Sequence, residues 1–276
     1  MFWNAQNGVV KFRDGEMECI RFGSGEKVLV MLPGLGDGLR TMKGMAIPFA
    51  FLYRRFAKEF TVYAFSRKRK IPAGYTTRDM ARDLMIAMKA LGIRKAHLLG
   101  VSMGGMIAQH FAADYPEMVE KLVLTVTCAR ANPVLIGSLT EWMEQAKQGD
   151  HRALMDSNVR RIYTDGYYRR RKWLIPVLGA VTKPKSYDRF LRQAESCLTH
   201  YAWDRLRDIS APTLVIGGEE DKTLGGEASR KIAAAIPNAT LKMYPGQGHG
   251  LYEEAGDFNE TVLEFLTGSP SMGIKG

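Results

Sequence analysis

Short apolar runs alternate with amphipathic stretches along most of the chain. The runs at 27–32 (KVLVML) and 122–126 (LVLTV) are apolar almost throughout, which is typical of strands buried on both faces. Between such runs, apolar residues recur at helical spacing, as Met80, Leu84 and Met88 do. Strands that alternate with helices predict the α/β class, here a mostly parallel, doubly wound sheet with helices on both faces.

The same pattern gives the approximate position of each element. Predicted strands lie at 9–22 (two strands joined by a turn at Asp14-Gly15), 27–32, 61–65, 96–99, 122–126, 213–217 and 239–244. Predicted helices lie at 49–60, 77–91, 103–113, 134–147, 151–163, 173–181, 187–201, 227–235 and 257–266. Thr76 and Asp79 form a capping-box pattern at the start of the second of these helices, and Gly92 marks its end.

Residues 129–210 differ in character from the rest of the chain. They contain no strand-like apolar run, and helical patterns dominate them. A chain of 276 residues is long enough for one large core domain that carries an insertion. We therefore predict an α/β core domain built from residues 1–128 and 211–276, with residues 129–210 as a helical cap inserted over it.

The composition is that of an ordinary globular protein, with 46% hydrophobic and 25% charged residues. No apolar run approaches the ~20 residues of a membrane span, and the first residues lack the pattern of a secretion signal. The three cysteines, Cys19, Cys128 and Cys197, are widely spaced and form no CxxC pair. They predict reduced thiols in a cytoplasmic protein, with no metal site.

The net charge of +10 is concentrated in two runs, 67–70 (RKRK) and 169–172 (RRRK). Tyr167, Tyr168 and Trp173 flank the second run, so binding to nucleic acid or to an anionic membrane is one interpretation. The simpler interpretation, which we adopt, is a solvated basic surface without a nucleic-acid partner. A bias of the site towards anionic substrates is a further alternative.

The stretch Gly100-Val101-Ser102-Met103-Gly104 lies between a predicted strand and a predicted helix. Such a sharp turn strains the backbone of its central serine and leaves no room for side chains two residues away on either side, hence the glycines. It also points the serine oxygen out of the sheet, beside the free N–H groups of a helix N-terminus. Ser102 is therefore the candidate nucleophile.

Candidate functional segments follow the ends of three other predicted strands. These segments are the glycine loop at Gly34, the acidic group that ends in Asp221, and a glycine-rich loop that contains His249. Because chemistry in parallel sheets occurs at the carboxyl ends of the strands, we expect these groups to meet Ser102. The metal-free chemistry that they suggest is nucleophilic attack on a carbonyl carbon.

A serine hydroxyl needs a base, and His249 is the natural one because imidazole titrates near neutrality. Asp221 would fix the tautomer of that imidazole, although Glu219 and Glu220 remain alternatives. The backbone N–H groups of Met103 and Leu35 are the expected oxyanion donors. The other histidines are expected to be structural or exposed: His97, His110, His151 and His200.

The order Ser102, Asp221, His249, together with the elbow GVSMGG and the loop LPGLGDG, resembles the α/β-hydrolase superfamily. The resemblance covers about Lys27 to Leu266, with the insertion where that family carries its cap. Two stretches depart from the family's pattern. Pro33-Gly34 stands where many members have His-Gly, and SRKRKIPAGY follows the strand at 61–65 where members often have an Asp-x-x-Gly-x-Gly-like loop.

The resemblance implies a serine hydrolase that works through an acyl-enzyme without a cofactor. We expect a carboxylesterase (EC 3.1.1-type) that acts on a small or medium carboxylic ester or a related acyl substrate. The same triad serves lactone, thioester and carbon–carbon bond hydrolases and some aminopeptidases. A ligand-binding or signalling protein that retains the triad is an alternative of a different class, whereas a haloalkane dehalogenase would need a carboxylate at position 102.

The substrate pocket is the least constrained part of the sequence. We expect Gly34, Met106, Trp142 and Trp173 to contact the substrate. The methionines at 42, 45, 103 and 106 would line an adaptable acyl pocket or simply fill the core. Trp142, Met143, Trp173 and Leu174 would form its roof.

Overall fold

A computed structural model of the protein describes residues 2–175, 179 and 182–268. Within these residues, eight strands form one sheet in the order β1-β2-β4-β3-β5-β6-β7-β8. The strands are β1 (Gln6–Phe12), β2 (Gly15–Phe22), β3 (Lys27–Leu32), β4 (Phe60–Phe65), β5 (Ala96–Val101), β6 (Val119–Thr125), β7 (Thr213–Gly218) and β8 (Ala239–Tyr244). The β1–β2 and β2–β4 pairs are antiparallel, and all other pairs are parallel. The predicted α/β class is confirmed.

Helices connect the strands and cover both faces of the sheet. They are α1 (Ala46–Leu52), α2 (Thr77–Ala90), α3 (Met103–Asp114), α4 (Pro133–Lys147), α5 (His151–Ile162), α6 (Asp165–Arg171), α7 (Asp188–Leu198), α8 (Glu227–Ala235), α9 (Leu251–Glu254) and α10 (Phe258–Thr267). Short 3-10 turns lie at Leu35–Gly38, Arg54–Phe56, Pro116–Met118, Lys172–Leu174 and Trp203–Asp208. The capping box at the start of α2 is present as predicted.

Three sequence predictions about elements were wrong in detail. The β1–β2 turn consists of Arg13-Asp14, because Gly15 already pairs with Phe12. The helix predicted at 49–60 begins at Ala46 and ends at Leu52, and the carbonyl of Ala57 instead accepts the Ser24 N–H at 3.0 Å. The helix predicted at 173–181 is a 3-10 turn over its first residues, and 176–178, 180 and 181 lie outside the described residues.

Two hydrophobic clusters pack on opposite faces of the sheet. Every residue of β5 is buried because side chains of both orientations meet a cluster, Leu98 on one face and Leu99 on the other. This explains why the central strands read as continuous apolar runs. The carboxyl ends of β3, β5, β7 and β8 consequently lie along one edge between the two helical layers.

The part of the chain between β6 and β7 contributes helices α4 to α7 and, among its described residues, no strand of the sheet. Helix α7 lies directly on the loop that follows β3. A Cβ added to Gly38 would lie 2.8 Å from the Cα of Phe190, so only glycine permits this approach. The division into a core and a cap at residues 129 and 210 stays a prediction.

Only half of the first basic run forms the solvated surface that the sequence predicts, because Arg69 and Lys70 are exposed and the two residues before them are not. Arg67 and Lys68 are 4% and 3% exposed, whereas the second run, 169–172, is exposed throughout. The difference arises because the residues after β4 turn inwards beneath the loop that follows β3. Among the described residues, no helix is long and apolar enough to cross a membrane.

Candidate active site

Ser102 occupies the tip of the turn between β5 and α3 with φ 54° and ψ −119°, a backbone conformation that non-glycine residues rarely adopt. The strain predicted for this serine is therefore present. A Cβ on Gly100 would lie 2.6 Å from the Gly104 carbonyl oxygen, and one on Gly104 would overlap the carbonyl of Leu32. Both glycines are needed because the backbones of the turn, α3 and β3 touch.

A chain of hydrogen bonds links the three polar groups that the sequence predicts to meet. His249 Nε2 lies 3.0 Å from Ser102 Oγ, and His249 Nδ1 lies 2.8 Å from Asp221 Oδ2. The side chains of His249 and Asp221 are 4% and 3% exposed. An imidazole bound between a hydroxyl and a buried carboxylate can accept the hydroxyl proton and remain oriented while it does so.

Asp221 is itself fixed by backbone groups. Its Oδ1 accepts the N–H groups of Thr223 at 2.8 Å and Leu224 at 2.9 Å, which leaves Oδ2 for the histidine. The alternative carboxylates lie elsewhere, because Glu219 pairs with Arg230 at 3.0 Å and Glu220 is exposed. The structure therefore brings Asp221, and not its two neighbours, to the imidazole.

The other four histidines are buried and make no contact with Ser102. Burial lowers the pKa of His97 and His110 to about 4 and that of His200 to about 3. Burial also lowers the pKa of His151. These rings are neutral at pH 7 and belong to the core, as in the contact of 5.2 Å between the His110 and His200 ring centres.

The structure places near Ser102 the two backbone N–H groups that the sequence analysis expects as oxyanion donors. The N–H of Met103 begins α3, and the N–H of Leu35 begins the 3-10 turn after β3. Neither donates a backbone hydrogen bond within the described part of the chain. A Cβ on Gly34 would lie 3.4 Å from the Cβ of Ser102, so the Leu35 loop packs against the serine.

Thr127 is a residue at this site that the sequence reasoning missed. Its Oγ1 donates to the carbonyl of Ser102 at 2.8 Å, and the preceding Val126 has φ 42°, which is unusual for a β-branched residue. Thr127 follows the end of β6, so the rule that polar residues at strand ends are functional would have found it. The hydrogen bond from Thr127 stabilises the backbone of the turn at Ser102.

A cavity of about 360 Å³ opens above Ser102. Its walls come from both core clusters, with Met31, Phe49 and Tyr53 on one side and Leu139, Trp142 and Phe190 on the other. The serine therefore lies at a mainly apolar cavity that is bounded by residues of both clusters. This volume accommodates a small or medium ligand.

Most predicted pocket residues line this cavity. Gly34, Met106 and Trp142 do so, as do Met42 and Met103. Trp173 does not: its side chain is 70% exposed, and its Nε1 donates to the carbonyl of Arg170 at 3.1 Å. The prediction that Trp173 contacts the substrate finds no support here, because the residue lies in a 3-10 turn and a helical pattern in the sequence does not determine which side chains of a segment meet the cavity. Met45, Met143 and Leu174 are also outside the described lining.

Few charged groups line the cavity. Asp37 is bound to Arg189 at 2.5 Å, Arg40 is exposed, and Glu253 accepts the Tyr163 hydroxyl at 2.6 Å. Across residues 2–175, 179 and 182–268, no group of three His, Cys, Asp or Glu side chains is placed to hold a metal ion.

Comparisons with known proteins agree with the fold. A family model described as the alpha/beta hydrolase fold matches residues 27–256. The 2-hydroxy-6-oxo-6-phenylhexa-2,4-dienoate hydrolase of Burkholderia cepacia is 32% identical over 202 residues, which are 67% of this chain and 68% of that protein.

Solved structures agree as well. MGS-M2, an alpha/beta hydrolase enzyme from a Medee basin deep-sea metagenome library, matches with a TM-score of 0.81 and 25% identity, over 98% of this chain and 100% of that one. The enol-lactonase from Burkholderia xenovorans LB400 matches with a TM-score of 0.79 and 23% identity, over 94% and 100% of the two chains, and shares the fold.

Proposed function

Because this chain belongs to the alpha/beta-hydrolase family, we propose that it is a serine hydrolase that cleaves carboxylic esters with an uncharged, mainly apolar body. The observation that carries the proposal is the hydrogen-bonded chain from Ser102 through His249 to Asp221 at the floor of an apolar cavity. A nucleophile, a base and an orienting acid in this order can attack a carbonyl carbon.

The proposed reaction has two halves. Ser102 Oγ attacks the ester carbonyl while His249 Nε2 takes its proton, and the N–H groups of Leu35 and Met103 bind the oxyanion. Collapse of the tetrahedral intermediate breaks the carbonyl–oxygen bond, and the proton on His249 passes to the leaving alcohol. Water, deprotonated by the same imidazole, then attacks the acyl-enzyme and releases the acid and Ser102.

The preference for an uncharged substrate follows from the lining of the cavity. Arg40 is its only cationic side chain among the described residues, and Arg40 is exposed. A carboxylate carried deep into the cavity would therefore lose its hydration without gaining a buried partner. Asp37 does not change this, since its charge is bound to Arg189.

Carbon–carbon bond hydrolysis is the second candidate function. It is favoured by the Burkholderia cepacia relative, which is named as a hydrolase of a 2-hydroxy-6-oxo-dienoate. That substrate carries a carboxylate, for which the described lining offers only Arg40. The two candidates therefore differ in the charge of the compound that the cavity accepts.

The test compares three compounds on the purified protein. They are p-nitrophenyl butyrate, p-nitrophenyl hemisuccinate, which adds a carboxylate to a chain of the same length, and the dienoate named for the relative. We expect kcat/KM for the butyrate to exceed that for the hemisuccinate by at least about tenfold, the equivalent of about 1.4 kcal/mol. Turnover of the dienoate that exceeds that of both esters would instead establish the second candidate.

Two serine variants complete this test. Ser102→Ala is expected to lower kcat by at least about 10³-fold, since it removes the nucleophile. Ser24→Ala, which changes an exposed serine, is the matched control and should retain wild-type rates. Ester turnover that persists in Ser102→Ala would contradict the proposal.

A further inference from the structure

Three charged side chains from distant parts of the chain meet behind the loop that carries Leu35. Asp37 lies in that loop, Arg67 follows β4, and Arg189 is on α7. Asp37 and Arg67 are 3% and 4% exposed, and the side chain of Arg189 is 15% exposed. Buried charges are rare and costly unless they are paired, so this cluster calls for a physical explanation.

Asp37 and Arg189 form the paired part of the cluster. Nη2 of Arg189 lies 2.5 Å from Asp37 Oδ2, and Nη1 donates to the carbonyl oxygen of the same aspartate. Asp37 Oδ2 also accepts the backbone N–H of Arg67 at 3.1 Å and Gln193 Nε2 at 3.3 Å. This carboxylate therefore joins the loop, the segment after β4 and helix α7.

The side chain of Arg67 is not consumed by this pair. Its Nη2 donates to the carbonyl oxygen of Pro33, while Nε and Nη1 have no hydrogen-bond partner among the residues that the structure describes. A guanidinium stays protonated in proteins even when burial opposes its charge. The cluster contains two guanidinium groups and one carboxylate, which is paired with Arg189, so its formal net charge is positive.

The carbonyl that Arg67 binds is close to the reacting atoms. Pro33 immediately precedes Gly34, whose backbone packs on Ser102, and the next peptide group carries the Leu35 N–H. A hydrogen bond that fixes the direction of the Pro33 carbonyl also fixes the path of the chain into that peptide. Donors held in place before the reaction are worth most, because they need no reorganisation when charge develops.

We propose that Arg67 is a positioning residue for the oxyanion-binding loop. Acting through the Pro33 carbonyl, it holds the Leu35 N–H towards Ser102, and its unshared positive charge favours the negative charge that forms on the substrate oxygen. This inference rests on the proposed function, since an oxyanion forms only when Ser102 attacks a carbonyl. Arg67, which the sequence analysis placed in a solvated basic surface, thus acts as a buried residue behind the site.

The neighbouring Lys68 supplies a matched control. It is 3% exposed, and its Nζ lies 2.7 Å from Asp14 and 3.4 Å from Asp83. Its other polar contact, at 3.4 Å, is with the hydroxyl of Tyr75, and within the described chain it makes no hydrogen bond to residues 33–38. Lys68→Met removes a buried cation next to Arg67 without touching the oxyanion-binding loop.

The experiment compares the wild type with Arg67→Met, Arg67→Lys and Lys68→Met. It measures kcat and KM for p-nitrophenyl butyrate, the melting temperature, and the inhibition constant of a trifluoromethyl ketone with the same acyl chain. The ketone forms a serine adduct that bears an oxyanion, whereas KM reports mainly ground-state binding.

Arg67→Met is expected to lower kcat by about 10- to 100-fold, with KM changed by less than about threefold. The inhibition constant of the ketone should rise by the same factor as kcat falls. Lys68→Met should lower the melting temperature, but its kcat and its inhibition constant for the ketone should stay within about threefold of the wild-type values. Arg67→Lys keeps the positive charge but lacks the planar guanidinium group, so we expect a loss of kcat between those of the wild type and Arg67→Met. If Arg67→Met does not fold, Arg67→Lys decides the question, and the proposal then requires its kcat to fall and its inhibition constant for the ketone to rise by the same factor.

Two results would overturn the role of Arg67: equal losses of kcat in Arg67→Met and Lys68→Met, or a ketone constant unchanged in both Arg67 variants. If the wild type hydrolyses the ester and binds the ketone, and Arg67→Met does both equally well, this inference alone is refuted. A wild type that does neither would refute the proposed function, and the two failures are thereby distinguished.

Discussion

Two loops meet at Ser102, and they are held by different means. In the elbow, residues 100–105, the constraint is steric and its sequence signature is local, because glycines stand at 100 and 104, where neighbouring backbones leave no room for a Cβ. In the loop at 33–38 a distant electrostatic constraint adds to the steric one at Gly38, because Asp37 is bound by Arg189, 152 residues further along the chain. A local steric constraint leaves a pattern in adjacent residues, whereas a distant ion pair does not.

The largest effect that separates the two loops is expected from adding a single methyl group. In Gly104→Ala the new Cβ would overlap the Leu32 carbonyl, a backbone atom that cannot move aside, so we expect a loss of more than about 3 kcal/mol of unfolding free energy. Gly36→Ala in the other loop meets nothing within 4 Å and should lose less than about 1 kcal/mol. Denaturant unfolding of both variants is the measurement, and equal losses would remove the contrast.

The converse test breaks the ion pair. Arg189→Met leaves the Asp37 carboxylate buried without its cation, and we expect it to cost about 2–3 kcal/mol of unfolding free energy. Arg192→Met on the same helix breaks only a half-exposed pair with Glu195 and should cost less than about 0.5 kcal/mol. Chemical denaturation distinguishes the two. An Arg189→Met variant as stable as Arg192→Met would show that the cluster is not structural.

Acid should destabilise the packing of α3 through His110, whereas the guanidinium groups that face Asp37 stay protonated. His110 on α3 has its pKa lowered to about 4 by burial, below the ~6.5 of an unfolded chain. Between these values the unfolded chain binds a proton that the folded chain excludes, so stability falls as the pH drops from 6.5 towards 4 and is unaffected above that range. At pH 5 the loss from this one histidine is about 2 kcal/mol.

The measurement is the difference in unfolding free energy between pH 7 and pH 5. His110→Gln should show a smaller difference than the wild type by about 2 kcal/mol, whatever its stability at pH 7. Identical pH dependence of the unfolding free energy in the two proteins would mean that protonation of His110 does not cause the loss of stability.

The smallest expected effect concerns the support of Ser102 by Thr127. Thr127→Val removes the 2.8 Å hydrogen bond to the Ser102 carbonyl, and we expect a loss of about 1 kcal/mol and a fall in kcat of about threefold to tenfold. Thr125→Val is the matched control, because the Thr125 hydroxyl is buried without a partner among the described residues. That variant should be neutral or more stable, and a similar loss in both would contradict the role of Thr127.

The contrast between the loops also explains what the sequence could predict. Ser102, Asp221 and His249 all follow buried strands of a parallel sheet, so their approach to one another follows from the topology. The environment of Arg67 does not, because the groups that surround it, Pro33 and Asp37, are more than 25 positions away.

The mismatch at Trp173 has a related origin. Periodicity shows that a segment is helical, but which face meets a cavity depends on how the segment docks, and here Trp173 is 70% exposed. Trp142, on a longer helix with a clear buried face, was predicted correctly to lie at the cavity. Sequence patterns therefore located Ser102, Asp221 and His249 better than the walls of the cavity around them.

The central claim is that Ser102 is a nucleophile activated by His249, and covalent labelling tests it most directly. The protein is treated with a fluorophosphonate, and the adduct is measured by intact mass and located by peptide mapping. We predict one adduct, on Ser102, that is absent in Ser102→Ala and forms at least about 10²-fold more slowly in His249→Ala. A wild type that remains unlabelled, or an adduct that survives Ser102→Ala, would contradict the account.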